Sequence, residues 1–180
     1  EQAEKNLHRE LKDYNIKALA EAGRRVWNET LGRIKVEGGT EDDKTVFYSS
    51  FYRTFERPIC MSEDGRYFSA FDGKVHEDNG TPFYNDDWIW DTYRAAHPLR
   101  TLIDRQKEED IIASYLRMAE QMGNMWMPTF PEVTGDTRRM NSNHAVATIA
   151  DALAKGLKVD TVKAYEACRK GMEEKTLAPW

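Results

Sequence analysis

Apolar residues recur along this chain at intervals of three and four positions, and this spacing constrains the fold more than any other feature. An α-helix places such residues on one face, so each run predicts an amphipathic helix. The first long run is predicted to end at Gly38 and Gly39, and the second at Pro58. The stripe of the first run consists of Ile16, Leu19, Ala20, Val26, Trp27, Leu31 and Ile34.

Local signals mark the ends of the later helices. Thr40 followed by Asp43 has the pattern of a capping box, and Asp160 is typical of an N-cap. A third helix is predicted to begin near Asp87 and to be interrupted at Pro98. The fourth is expected to end at Gly123, and a fifth to run from about 143 to 156. The inner faces that we assign to the second and last helices are Phe47, Tyr48, Phe51, Tyr52 and Phe55, and Val162, Tyr165, Cys168 and Met172.

Between the helices lie two segments of different character. Residues 66–76 contain strand-like runs around Asp72 and Gly73, which predicts a small β-hairpin or an ordered loop. Residues 124–139 hold too many prolines and glycines for a helix, so we expect a long loop. Paired helices with short turns on one side and long loops on the other are expected to stack around a ring, although a simple helical array fits too.

Composition limits the classes of function. The 180 residues include 26 basic and 31 acidic side chains, a formal net charge of −5, so nucleic acid is not an expected partner. No run approaches the roughly 20 apolar residues of a membrane span. Cys60 and Cys168 lie far apart and have no metal-binding spacing; we interpret both as free, and a disulfide between them stays open. The length predicts one compact unit or one piece of a larger domain.

Residues 84–94 form the densest cluster of chemically useful side chains. Aromatic rings, carboxylates and one guanidinium meet there at a loop-to-helix junction. Sugars bind to this mixture, because their C–H faces stack on aromatic rings while carboxylates and Arg hold their hydroxyls. The start of a helix also favours the ionised form of Asp91. The alternative, a helix N-cap with buried tryptophans, stays open.

Several motifs in register resemble the catalytic domain of glycoside hydrolase family 92. They are YSSFYRT (48–54), DGRY (64–67), FDGKVH (71–76), WDTYRAAHPL (90–99) and IADA (149–152). The resemblance covers essentially the whole chain. It implies a calcium-dependent, inverting, exo-acting α-mannosidase that is periplasmic, secreted or at the cell surface. The implied fold is mainly α, with paired antiparallel helices forming part of an (α/α)6 toroid and a small β-hairpin insertion.

Under this resemblance, residues 1–180 are one segment, the first part of the toroid. The N-terminal β-sandwich is expected before it, and the general acid and base are expected C-terminal to Trp180 together with most Ca²⁺ ligands. This segment alone should therefore be inactive, and none of its residues is assigned to catalysis or to metal. The implied partners are mannose-containing oligosaccharides or N-glycans and the rest of its own polypeptide. The residues expected to contact substrate are Trp90, Asp91, Arg94, Trp126 and His144.

In detail, we expect Trp90 to pack on the sugar ring, Asp91 to accept hydroxyl protons and Arg94 to orient Asp91. Asp86 and Asp87 are expected to cap or solvate the helix start, and His97 to be a structural imidazole. Two other readings stay open. In a toroid glycosidase of the trehalase or processing-glucosidase type, Asp91 would be the general acid; a non-catalytic carbohydrate-binding or scaffold module would bind glycans without hydrolysis.

Overall fold

The computed structural model describes residues 1–140 and 143–174. The chain divides into two compact units, Glu1–Arg53 and Thr54–Trp180. The first unit consists of three helices, α1 (Gln2–Glu10), α2 (Ile16–Leu31) and α3 (Glu41–Arg53). The prediction of a single segment is not tested by this division.

Side-chain caps begin two helices of the first unit. The Asn15 side chain accepts a 3.0 Å hydrogen bond from the backbone of Ala18 and caps α2. The predicted capping box of α3 is confirmed. The Asp43 amide donates to Thr40 Oγ1 at 3.1 Å, and the Thr40 amide donates to Asp43 Oδ2 at 2.9 Å.

The end predicted for α2 is wrong. The helix stops at Leu31 and is followed by Gly32, a poor helix former, rather than continuing to Gly38. Gly38 and Gly39 instead take left-handed backbone angles (φ 78° and 68°) ahead of α3, a conformation that glycine adopts without steric cost.

Much of the apolar surface of the first unit faces outward. Ile16 and Val26 of the α2 stripe are 79% and 61% exposed. In α3 only Phe51 is buried, while Tyr52 is exposed and packs against Trp27 with ring centroids 4.5 Å apart. The prediction that the whole aromatic face of α3 lies in a core therefore holds for Phe51 and is wrong for Tyr52.

Short antiparallel strand pairs position the loops of the second unit. Strand β1 (Ile59–Cys60) pairs with β4 (Tyr84–Asn85). The predicted hairpin is confirmed as β2 (Arg66–Ser69) and β3 (Lys74–Glu77), with Tyr67 opposite His76. A third pair, β5 (Pro131–Glu132) and β6 (Gly135–Asp136), lies inside the segment predicted as a long loop.

The helices of the second unit are α4 (Ile89–Thr92), α5 (Ala96–Ile103), α6 (Arg105–Gln121), α7 (His144–Ala154) and α8 (Thr161–Glu173). The predicted third helix is therefore two helices, separated at 93–95. The interruption predicted at Pro98 is confirmed, and it lies just before the proline. In one continuous helix the Pro98 ring would clash with the carbonyl of Arg94, whereas in the first turn of α5 no intrahelical hydrogen bond is lost. Gly123 follows α6 with φ 77°, and Asp160 caps α8 by accepting from the Lys163 amide at 3.0 Å; both predictions are confirmed.

The core of the second unit surrounds α6, whose Ile111, Tyr115 and Met118 are 0%, 1% and 0% exposed. The predicted inner face of α8 holds for Cys168, which packs against the core, and is wrong for its other three residues. Its buried residues are Ala164, Ala167 and Gly171, whereas Val162, Tyr165 and Met172 are exposed. Small side chains let two helix axes approach closely, which explains why a stripe of alanines and glycine faces α6 in place of the larger apolar residues. The predicted fold class, mainly α with a small β-hairpin, is confirmed.

Two smaller features complete the fold. Cys60 is exposed and Cys168 is half-buried, and both are free thiols, as predicted. Within the described residues, no helix combines the length and the hydropathy that crossing a bilayer would require.

Candidate functional site

The α4 turn carries the sequence cluster that pointed to sugar binding, and the long loop lies against its start. The Asp87 amide donates to the Pro131 carbonyl at 3.0 Å, and Asn85 Nδ2 donates to the Glu132 carbonyl at 3.0 Å. The ring of Trp88 stacks on Phe130 with centroids 5.7 Å apart. Two segments far apart in sequence therefore meet here, as expected for loops that gather at one end of paired helices.

Three of the predicted site residues share this turn. Trp90 is half-buried, and the guanidinium of Arg94 lies 4.7 Å from its ring centroid, so part of the indole stays open to solvent. Asp91 is exposed, and its carboxylate makes no hydrogen bond or ion pair within the described part of the chain. An exposed carboxylate of this kind is free to accept from ligand hydroxyls. The expected orientation of Asp91 by Arg94 is not seen, because Arg94 stacks on Trp90 and Tyr93 instead.

His144 joins this group from α7. Its ring lies 3.9 Å from the ring of Tyr93, the residue that follows α4. Burial and then the positive charge of Arg94 lower the pKa of His144 below its ordinary value, which favours a neutral imidazole. Its Nδ1 atom is buried and has no hydrogen-bond partner within 1–140 and 143–174. Tyr93 was not singled out from the sequence, although it connects two residues that were.

Trp126 lies in a different environment. Its indole N–H donates to Glu174 at 3.4 Å, and Arg138 lies 5.5 Å from its ring centroid. Among the residues that the structure describes, no hydrogen bond or ring contact joins it to Trp90 or His144. The structure thus brings Trp90, Asp91, Arg94 and His144 together and leaves Trp126 outside that group.

Directly beneath the turn lies a buried network of ionisable groups. Asp87, His97 and Glu108 are 0%, 1% and 0% exposed. The imidazole of His97 contacts Glu108 through Nδ1 at 2.8 Å and Asp87 through Nε2 at 2.9 Å. Asp87 also accepts hydrogen bonds from Thr92 Oγ1 at 2.7 Å and from the Tyr115 hydroxyl.

The charged forms of His97 and of the carboxylates around it stabilise one another. Burial by itself would lower the pKa of His97, but the negative charges of Asp87 and Glu108 outweigh it and raise the pKa of His97 to about 9. Burial would likewise raise the pKa of Asp87, yet the His97 cation and the hydrogen bonds from His97 and Tyr115 lower the pKa of Asp87 to about 2. The pair is therefore an imidazolium and a carboxylate at neutral pH.

This network corrects one prediction and confirms another. Asp87 does not solvate the helix start, since it is fully buried and ion-paired with His97. Asp86 neither caps nor solvates it, because its carboxylate pairs with Arg57. The structural, hydrogen-bonded role predicted for His97 is confirmed. A signal for the network existed in the sequence: Glu108 lies on the same helical stripe as Ile111, Ile112 and Tyr115, and a carboxylate on an apolar stripe requires a buried partner.

The described residues do not fit a metal ion. Within them, no group of three or more His, Cys, Asp or Glu side chains is arranged to hold one. Calcium prefers six to eight oxygen ligands, and the carboxylates of the buried network are already engaged with His97. No step of the chemistry is therefore assigned to a metal held by this segment.

Comparison with known proteins identifies the family. The model of the glycosyl hydrolase family 92 catalytic domain matches residues 2–180. The chain belongs to glycosyl hydrolase family 92. This assignment removes the trehalase and processing-glucosidase families as alternatives for the chain.

Solved structures of family GH92 share the fold. The inverting mannosidase BT2199 of Bacteroides thetaiotaomicron is 36% identical, with a TM-score of 0.81 over 92% of this chain and 22% of its own. The α-mannosidase BT3965 of the same organism, in complex with mannoimidazole, is 27% identical, with a TM-score of 0.87 over 96% of this chain and 23% of its own. This chain therefore spans less than a quarter of the length of these relatives. A search of curated proteins found no match.

Proposed function

We propose that this GH92 segment is part of an exo-acting, inverting α-mannosidase and that it supplies side chains to the pocket for a terminal mannose. The family match over residues 2–180 carries this proposal. The likeness in fold to an inverting mannosidase that is 36% identical supports it. In the same proposal, the helix pairs belong to an α/α toroid that the remaining polypeptide completes.

The chemistry of the turn suits a hexose. The open part of the Trp90 indole offers an apolar surface, while Arg94 covers another part and fixes the ring. Asp91 offers carboxylate oxygens that are not engaged within the described residues. The lowered pKa of His144 favours a neutral imidazole beside Tyr93, which can donate or accept through the ring nitrogen other than the buried Nδ1. We assign terminal-mannose contacts to Trp90, Asp91 and His144, and a supporting role to Arg94.

The catalytic step requires groups outside this segment. An inverting glycosidase uses a general acid and a base that activates water, roughly 6.5–9.5 Å apart. We propose that both lie C-terminal to Trp180, that Ca²⁺ is bound there, and that the substrates are mannose-containing oligosaccharides or N-glycans. We place the protein in the periplasm, outside the cell or at the cell surface. We further propose that Trp126 contacts the substrate on its leaving-group side.

The test uses the full-length protein and defined α-linked manno-oligosaccharides. Mannose release is expected and is expected to fall when a calcium chelator is added. NMR of the first product should show β-mannose, because inversion changes the anomer. Asp91→Asn is expected to raise KM more than it lowers kcat, because it removes a binding contact and not the general acid. Asp151→Asn, the same change on α7 in an i,i+4 ion pair with Lys155, is the matched control.

The outcomes separate the alternatives. If the full-length protein binds manno-oligosaccharides but releases no mannose, the non-catalytic module is the correct reading. If Asp91→Asn leaves KM unchanged and abolishes turnover on substrates with poor leaving groups, Asp91 acts as a general acid and its proposed role is wrong.

A further inference from the structure

The buried network beneath α4 connects three helices through one imidazole. His97 lies in α5, Glu108 in α6, and Asp87 precedes α4. The two ring nitrogens of His97 lie 2.8 Å from Glu108 Oε1 and 2.9 Å from Asp87 Oδ2. The protonated imidazole therefore donates to both carboxylates. All three side chains are at most 1% exposed, and buried charges of this kind persist only when each is paired.

The same network closes around the turn itself. Asp87 accepts from His97 on one side and, at 2.7 Å, from Thr92 Oγ1, the last residue of α4, on the other. Trp90 and Asp91 lie between these two attachment points. The Tyr115 hydroxyl on α6 donates to Asp87 as well. The turn is therefore held at both ends, and α6 provides the fixed element.

We propose that His97 is a positioning residue of the mannose pocket: as a cation held between Glu108 and Asp87, it fixes the turn that presents Trp90 and Asp91. This inference rests on the proposed function and adds a residue that does not touch the substrate. A pocket residue must be held within a fraction of an ångström of its productive position, which buried, fully paired supports achieve.

The arrangement of His97 between Glu108 and Asp87 is called the clamp below. The charges that face His97 make the clamp dependent on pH. Asp87 and Glu108 are the anions in contact with it, Tyr115 lies 3.1 Å from Nε2, and Arg100 adds a positive charge that acts on Asp87. Glu108→Gln keeps an oxygen acceptor for Nδ1 but removes one anion. With only Asp87 left to oppose it, the effect of burial lowers the pKa of His97, and the imidazolium loses its proton at a lower pH.

The experiment compares full-length wild type, Glu108→Gln and Glu109→Gln. Glu109 is the next residue of α6; its carboxylate accepts from the Lys158 amide at 2.9 Å and does not contact His97, which makes it a matched control. KM and kcat for an α-linked mannobiose and the Kd of mannoimidazole are measured from pH 6 to pH 9. In Glu108→Gln we expect KM and Kd to rise with pH, by roughly tenfold across this range, because a misplaced contact weakens binding strongly. Glu109→Gln should follow wild type.

Each result decides a separate point. If Glu108→Gln follows Glu109→Gln at every pH while wild type is active, the clamp is wrong and the proposed function stands. If wild type neither releases mannose nor binds mannoimidazole, the proposed function fails and the clamp fails with it.

If circular dichroism shows that Glu108→Gln does not fold, Tyr115→Phe takes its place. This variant removes only the hydroxyl that donates to Asp87. We expect a weaker but measurable loss of mannoimidazole affinity, and wild-type affinity in Tyr115→Phe overturns the proposal.

Discussion

The guanidinium of Arg94 lies 4.7 Å from the ring centroid of Trp90, which is four residues earlier in the chain. Arg94 does not form an ion pair with Asp91, the residue after Trp90. The two charged residues of this segment therefore have different roles. Arg94 fixes the indole, while the carboxylate of Asp91 stays open to solvent. It also places a positive charge beside His144, whose pKa it lowers in addition to the effect of burial.

Replacing Arg94 by Lys should weaken mannoside binding although the charge is kept. A lysine ammonium lacks the planar guanidinium that stacks on an indole. Such contacts contribute about 0.5–1 kcal/mol at exposed sites, so Kd for mannoimidazole should rise roughly two- to fivefold. Isothermal titration calorimetry on the full-length protein measures this. Arg169→Lys on α8, where Arg169 contacts Glu173, serves as the control and should leave Kd unchanged.

Removing the charge of Arg94 should raise the pKa of His144. In Arg94→Gln the pKa should move upward but stay below that of a free histidine, because burial, the larger cause of the lowered value, persists. Titration of ¹³C-labelled histidine resonances by NMR reports the shift. An unchanged His144 titration would show that Arg94 does not act on the imidazole, and Arg169→Gln supplies the background.

The His97–Asp87 pair should give the protein a characteristic dependence of stability on pH. The pKa of His97 is raised from 6.5 to about 9, so its contribution is complete below pH 6.5 and is lost as pH rises through 9. The pKa of Asp87 is lowered from 3.8 to about 2, so its contribution is complete above pH 3.8 and is lost as pH falls through 2. Between pH 6.5 and 9 the free energy of unfolding should therefore fall as the pH rises, by roughly 1 kcal/mol per pH unit at most.

Chemical denaturation at a series of pH values measures that slope. His97→Gln should remove most of the alkaline part of it, because the imidazole that loses its proton in this window is then absent. His76→Gln, in the hairpin and in contact with Asp72, is the control for replacing a histidine outside the buried network. Equal slopes in all three proteins would contradict the assignment of the cation to His97.

Enlarging the small face of α8 should destabilise the fold. Ala167 is 0% exposed against the core, and Ala167→Leu forces extra methyl groups into a packed interior at a cost of about 1–3 kcal/mol. The same substitution at Ala154, an exposed residue at the end of α7, should change stability by less than about 0.5 kcal/mol. Thermal unfolding of the two variants distinguishes them, and equal losses would show that the buried face of α8 is assigned wrongly.

Local signals in the sequence were sufficient for several features. The capping box of Thr40 and Asp43, the N-cap Asp160, the glycine after α6 and the β2–β3 hairpin each depend on residues within a few positions of one another. Their energetics are settled by backbone hydrogen bonds and dihedral angles in one short segment. The motifs of the family likewise pointed correctly to glycosyl hydrolase family 92.

The sequence by itself determined the starts of α3 and α8 and the end of α6, because capping and backbone preference act over one turn. Only the tertiary structure decided which face of α8 is buried and that Asp87, His97 and Glu108 share one dry site. Periodicity predicts an apolar face, but close helix packing favoured alanines over Val162 and Tyr165. A buried ion pair depends on the distance between segments far apart along the chain, and that distance exists only after folding.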